Sequence, residues 1–342
     1  RVGFRYLERS IEVIGQFFVW IRHHGFVTVD PAVLGRLVRH GSMVTEPRRR
    51  RQGRRSPPGG QACTRYGRPM TLVSAHDLAA MVEGDEPIVV CDVRFHLADH
   101  DQGRREYDEA HIPGARFVDL HTELAGGAGG GRHPLPSVDE FTALLGQLGI
   151  DPATHVVAYD SAGGAIASRL WWMLRSIGHS QASVLDGGIG AWTAAGHPLT
   201  DEVPTVVAVE YPPRPDWTGI VDAEAVAQTI QFGGTVIDAR APERFRGDQE
   251  PIDARAGHIP GAINAFHGAN LRPDGTHLPL PDLAQRFGGA GESPVVYCGS
   301  GVTACHDLLV LSLVGVDQAR LYAGSWSEWS ADPERPVATG DA

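Results

Sequence analysis

The sequence predicts an α/β protein of two similar domains in tandem, each a mostly parallel sheet with helices on both faces. Two observations carry this. Short runs of β-forming residues alternate with helical stretches such as 141–148 and 166–177, the pattern of a parallel sheet covered on both sides. The chain also repeats itself. Val90-Cys91-Asp92-Val93-Arg94 answers to Val236-Ile237-Asp238-Ala239-Arg240, and His111-Ile112-Pro113-Gly114-Ala115 to His258-Ile259-Pro260-Gly261-Ala262. Tyr159-Asp160-Ser161-Ala162-Gly163 answers to Tyr297-Cys298-Gly299-Ser300-Gly301, and the stretch ending at Trp192 to the one ending at Trp329. Four matches in one order, at offsets of 137 to 147 residues, mean a duplicated domain rather than a solenoid of short repeats.

Taken in order, residues 1–69 read as a disordered basic extension that the fold does not need, as an early assigned start codon would add. Arg48 to Arg51, Arg54 and Arg55 run into Pro57-Pro58-Gly59-Gly60 with nothing to bury,. Met70 opens the first domain, expected over 70–200. Within it, 126–131 is a glycine-rich run that lacks the Lys-Ser/Thr ending of a phosphate loop and reads as a flexible loop. A proline-rich segment with Pro212, Pro213 and Pro215 resists helix formation, so 201–220 is expected to be an extended linker,. The second domain follows over 221–335, with 336–342 as a tail.

Composition narrows the function classes. The 342 residues are 42% hydrophobic and 21% charged, enough apolar material for two domains with real cores. The net charge of −11 conceals a division: residues 1–69 hold 14 arginines against four acids, leaving 16 arginines against 37 acids for the rest. So acidic a folded part is not expected to bind nucleic acid, and no apolar run is long enough to span a bilayer. Cys63, Cys91, Cys298 and Cys305 make neither a disulfide framework nor a metal-spaced pair, which fits a reducing, cytoplasmic setting and no metal site.

The chemistry is expected at 295–306. Val295 to Tyr297 read as a buried strand, Gly299 and Gly301 as a tight loop, and 303–313 as an amphipathic helix,. Loop amides and a helix N-terminus would then surround Cys298 and favour its thiolate. The first copy has Asp160 at this position, so only the second can form a covalent sulfur intermediate. Cys305 is expected to be a packed thiol and Cys91 a buried strand residue. His111 and His258 occur in both copies and read as structural, as do the Asp92–Arg94 and Asp238–Arg240 pairs. Trp171 and Trp172 read as core or domain-interface aromatics.

Together the paired His-Ile-Pro-Gly-Ala motifs, the Asp-x-Arg strands, the Asp160/Cys298 asymmetry and Cys298-Gly299-Ser300-Gly301-Val302-Thr303 resemble the two-domain rhodanese family over about 70–335. Within it, the uncharged loop looks like the 3-mercaptopyruvate branch, since enzymes using dianionic thiosulfate tend to carry basic residues after the cysteine. The resemblance implies a ping-pong sulfur transfer from a small-molecule donor, through a Cys298 persulfide, to cyanide or a thiol acceptor such as a thioredoxin-like protein, with no cofactor. It puts Arg244 on the donor, Ser300 and His133 beside it, and Gly299, Gly301, Val302 and Thr303 around the sulfur. His121 stands where relatives have an aspartate, which leaves Asp119 as a substitute carboxylate. A titrating imidazole at 121 would make activity change near neutral pH. Arg255 lies near the family's second arginine without aligning with it. The alternatives are a thiosulfate sulfurtransferase on the same scaffold and a non-catalytic binding module. A cysteine phosphatase needs an arginine six residues after the cysteine, where this chain has Ala304.

Overall fold

A computed structural model describes residues 64–65, 68–84, 87–127 and 129–341. The arginine-rich run and Cys63 lie outside them. At the near edge of the expected extension, β1 (Thr64–Arg65) and β2 (Arg68–Pro69) pair antiparallel.

The first sheet comprises β3 (Leu72–Val73), β4 (Ile88–Asp92), β5 (Arg116–Phe117), β6 (His155–Tyr159) and β7 (Ala182–Leu185), in the order β3-β7-β6-β4-β5, and every pairing is parallel. The second comprises β8 (Ile220–Val221), β9 (Val236–Asp238), β10 (Ile263–Asn264), β11 (Val295–Tyr297) and β12 (Arg320–Tyr322), in the order β8-β12-β11-β9-β10, again all parallel. The two orders are identical element for element, as duplication requires. Helices α1 (Ala75–Glu83), α2 (Gln102–Glu109), α3 (Val138–Gln147), α4 (Ala167–Ser176) and α5 (Gly188–Ala194) belong to the first copy. Those of the second are α6 (Ala223–Gln231), α7 (Pro242–Arg246), a 3-10 turn at His267–Asn270, α8 (Leu280–Arg286), α9 (Ala304–Leu313) and α10 (Ser325–Trp329).

Local chemistry explains the boundaries. Ser137 and Glu140 form a reciprocal capping box at the start of α3, and Ser74 and Asp222 cap α1 and α6 through their side chains,. The duplicated strand-end motif builds the same network twice. Asp92 takes a bidentate hand from Arg94 and the Tyr159 hydroxyl at 2.6 Å, while Arg94 also reaches the Ala110 carbonyl. Asp238, Arg240 and the Gly257 carbonyl repeat this. His111 and His258 bond backbone carbonyls at 2.7 and 2.8 Å and stack on Tyr107 and Phe245. They hold turns.

One apolar core runs through both copies, with Leu170, Trp171 and Trp172 of α4 and Leu308 and Leu309 of α9 in the same cluster. This corrects the expected amphipathic α9. The helix is buried from Ala304 to Leu311 on all sides, because α4 covers the face that a single domain would leave to water,. Residues 201–215 form neither helix nor strand. They are tied to the first copy by Val209 N–H donating to the Gly146 carbonyl and by Tyr211, which is buried beside His179. Among the described residues, no helix is long and apolar enough to cross a membrane.

Burying α9 also buries its polar side chains. Asp307 accepts from Asn270 Nδ2 at 2.7 Å, its second oxygen has no partner among the described residues, and burial pushes its carboxyl up to about 8. The folded state therefore keeps a proton that the unfolded chain releases above about pH 4, and stability falls by up to about 1.4 kcal/mol per unit as pH rises toward 8,. Asp307→Asn should remove this loss. Its melting temperature should gain on the parent's between pH 5 and 8 and keep a constant lead above that; a lead independent of pH would show that Asp307 is charged in the fold.

Candidate active site

Strand β11 is fully buried and ends at Cys298. The loop that follows is pinned by α10: Cys298 N–H donates to Ser325 Oγ at 3.1 Å, while Trp326 N–H and Ser327 N–H donate to the carbonyls of Cys298 and Gly299. Ser325 pays for this in a left-handed conformation, φ 54°, and its hydroxyl is held in turn by the Tyr322 carbonyl,. Gly301 turns at φ 76° where a side chain would run into the Ala323 carbonyl. Cys298 is 2% exposed and sits at the base of a cavity of about 300 Å³.

The first copy reveals what such a loop holds. Asp160 accepts from the amides of Ala162, Gly164, Ile166 and Ala167 at 2.7 to 2.9 Å. Four converging N–H groups make an anion nest, and Gly163 at φ 66° turns this loop where Gly301 turns the other.

Two guanidinium groups cover the Cys298 loop. Arg132 Nη2 and Arg244 Nη1 lie 3.0 and 3.4 Å from where a side chain at Gly299 would begin. Arg244, on α7, donates to Glu250 at 2.6 Å and Asp253 at 2.9 Å. Burial works against the charge of Glu250, but the Arg244 hydrogen bond holds its carboxyl below the usual range. Arg132, from the first copy, pairs with Asp253, and its buried Nε has no partner among the described residues. Arg132 went unassigned in the sequence, its signal being only that it precedes His133 in a glycine-rich loop.

Ser300 Oγ and His133 Nδ1 are 2.9 Å apart. Burial pushes the imidazole down to about 4, with Arg169 and Arg132 adding to the effect, so it is neutral at physiological pH. Among the described residues, no carboxylate bonds to it. Asp119 closes its own turn by accepting from the Thr122 amide and hydroxyl at 2.7 and 3.0 Å, so it does not stand in for the missing aspartate. His121 lies edge-on to His133 at 6.1 Å between centroids and packs on His100 at 4.5 Å. Val302 and Thr303 line the cavity beside Cys298, as does His267, which the sequence did not single out. Arg255 is elsewhere: it donates to the carbonyls of Trp329, Ser330, Asp332 and Arg335 and clamps the chain after α10. The chain between α7 and His258 instead sends Glu250 and Asp253 to the cavity arginines. Cys305 is fully buried, donates to the Gly301 carbonyl, and is pushed up to about 12 by burial. Cys91 is buried likewise.

Residues 126–131 carry a second correction. Gly131 turns at φ 90° with its Cα so near the second copy that a Cβ would stand 2.6 Å from the Gly324 carbonyl, and Arg132 N–H donates to Ser327 Oγ at 3.0 Å. The loop is docked rather than loose, because only glycine permits that approach. Gly131→Ala should displace Arg132 and His133 together. Catalytic efficiency should drop by about 10²-fold while the melting temperature shifts by only a few degrees; undiminished turnover would mean that the docked loop is dispensable.

Known proteins agree with this architecture. The family model described as Rhodanese-like domain matches residues 74–195 and 222–332. A Pseudomonas aeruginosa protein with the provisional name 3-mercaptopyruvate sulfurtransferase is 46% identical over 280 residues, 79% of this chain and 98% of that one. A Mycobacterium tuberculosis protein with the provisional name thiosulfate sulfurtransferase SseB is 43% identical over 283 residues, covering 80% and 99%. The crystal structure of SseA from Escherichia coli, described among the 3-mercaptopyruvate sulfotransferases, superposes with a TM-score of 0.65 at 32% identity, over 76% of this chain and all of that one. With two matched domains, two identical parallel sheets and one cysteine loop, the chain belongs to the rhodanese family in its two-domain form.

Proposed function

We propose that the protein is a sulfurtransferase that takes sulfur from 3-mercaptopyruvate on Cys298 and passes it to a thiol, a thioredoxin-like protein being one acceptor, or to cyanide. The observation that carries this is the duplicated loop: the position whose carboxylate accepts from four loop amides in one copy, Asp160, is Cys298 in the other. Amides at 300, 302 and 304 correspond to three of those on Asp160 and would receive a thiolate or persulfide, while the fourth, at Cys305, donates to the Val302 carbonyl at 3.0 Å,.

The transfer balances without a cofactor. The Cys298 thiolate attacks the donor sulfur, and the carbon–sulfur bond breaks with its electron pair passing to carbon. The resulting enolate takes a proton to become pyruvate, leaving a persulfide on Cys298. An acceptor thiolate then attacks the outer sulfur, and Cys298 recovers the electron pair of the broken S–S bond. Arg244 and Arg132 hold the donor carboxylate. Ser300, steadied by His133, offers its hydroxyl to the carbonyl oxygen as charge develops there.

Charge also sets donor choice. Glu250 and Asp253 already answer the two arginines, and Gly299 and Ser300 add no cation, so the pocket suits a monoanion with a polarisable carbonyl better than dianionic thiosulfate. The relatives named for thiosulfate make that donor the second reading.

The test measures pyruvate release from 3-mercaptopyruvate and thiocyanate formation from thiosulfate and cyanide at matched donor concentrations. Catalytic efficiency should favour 3-mercaptopyruvate, and Cys298→Ser should abolish both reactions. A preference for thiosulfate would move the function to the second reading, and inactivity with both would leave a binding module. Arg244→Gln should raise KM for 3-mercaptopyruvate about tenfold, with a smaller effect on kcat. An unchanged KM would remove Arg244 from the donor site.

A further inference from the structure

Behind the Cys298 loop lies a cation with no carboxylate. Arg169, on α4 of the first copy, is 0% exposed. Its Nη1 donates to the Gly301 carbonyl at 3.0 Å, its Nη2 to the His133 carbonyl at 3.0 Å and the Leu124 carbonyl at 3.3 Å, and its Nε to Leu124 at 3.4 Å. Among the described residues, no Asp or Glu pairs with it. Each arginine that lines the cavity has one: Arg240 has Asp238 and Glu250, Arg244 has Glu250 and Asp253, and Arg132 has Asp253. Neutral carbonyls satisfy the donors of Arg169 but do not cancel its charge, and a buried charge without a counter-charge costs several kcal/mol.

The groups near Arg169 that can become negative are two thiols, Cys305 and Cys298. Cys305 is a neutral thiol at physiological pH, fully buried and donating to the same Gly301 carbonyl that Arg169 holds. That leaves Cys298, three residues before the Gly301 carbonyl that Arg169 holds. His133 and His267, the imidazoles at the cavity, are both kept toward the neutral form by burial and contribute no competing positive charge.

We propose that Arg169 is a positioning residue that supplies the permanent counter-charge of the Cys298 thiolate from across the domain boundary, while its carbonyl contacts fix the cysteine loop against the His133 segment. The first copy needs no such cation, since Asp160 is an anion held by four amides alone. This rests on Cys298 being the nucleophile but not on which donor it uses, and it goes beyond donor binding, because Arg169 does not line the cavity.

The experiment is a pH titration of Cys298 alkylation by iodoacetamide, with the modified residue located by mass spectrometry, on the parent, Arg169→Lys and Arg169→Met. The parent midpoint should lie below that of a free thiol and stay in place as NaCl is raised, since a buried charge is little screened. Arg169→Lys should titrate near the parent. Arg169→Met should move the midpoint up by about one unit or more and lose sulfur transfer near pH 7, recovering part of it above the new midpoint. Where the Met variant does not fold, Arg169→Gln, which keeps donors for the carbonyls, carries the same expectation. A folded Met or Gln variant with the parent's midpoint would overturn the role of Arg169 alone. A parent Cys298 that titrates like a free thiol would overturn it together with the nucleophile assigned above.

Discussion

The cavity exists because two copies of one fold are fused along a pair of buried helices. Helix α4 of the first copy and α9 of the second share a core, and neither helix has a polar face to offer water instead. Separating the copies would expose both, at a cost that grows with the apolar area uncovered. This fixed relation lets the loop at Gly131 approach the backbone at Gly324 and present Arg132 and His133 to a cysteine in the other copy. A looser joint would leave a thiol with no donor-binding groups in front of it.

Charge is distributed unevenly around that thiol. In front, three arginines are matched by Asp238, Glu250 and Asp253, so they provide geometry more than net field. The matching also gives them an ordered resting arrangement with guanidinium forks already aimed. Behind, Arg169 is unmatched and buried, where the low local dielectric makes a single charge count for more than it would at the surface. The cations proposed to hold the donor and the one proposed to face the thiolate thus meet different residues of one loop, Gly299 and Gly301.

The two loops record how duplication divides labour. Both turn on a glycine at positive φ, at 163 and 301. In one, a fixed carboxylate fills the nest and locks the turn; in the other, a sulfur occupies that place and the space above it is open. The missing family aspartate fits the same economy. Asp119 accepts within its own turn, and burial, with Arg169 and Arg132 adding to it, keeps His133 neutral, able to share a hydrogen bond with Ser300 but not to carry a standing positive charge.

What was legible in the chain was whatever local pattern dictates. Alternating strands and helices, the repeat, the Asp160/Cys298 difference and the glycine turns are properties of neighbouring residues, and they determined the fold, its duplication and the candidate reactive position. The amphipathic α9 was misjudged because its burial depends on what the other copy covers. Arg132 and Arg169 stayed invisible as site residues for the same reason, although an arginine inside the apolar run of α4 was a signal. Sequence alone decided which atom is the candidate nucleophile. Only the packing of one copy on the other decided that Arg132 and Arg169 join the charges around it, because those two lie more than 100 residues away and meet the second copy only across the shared boundary.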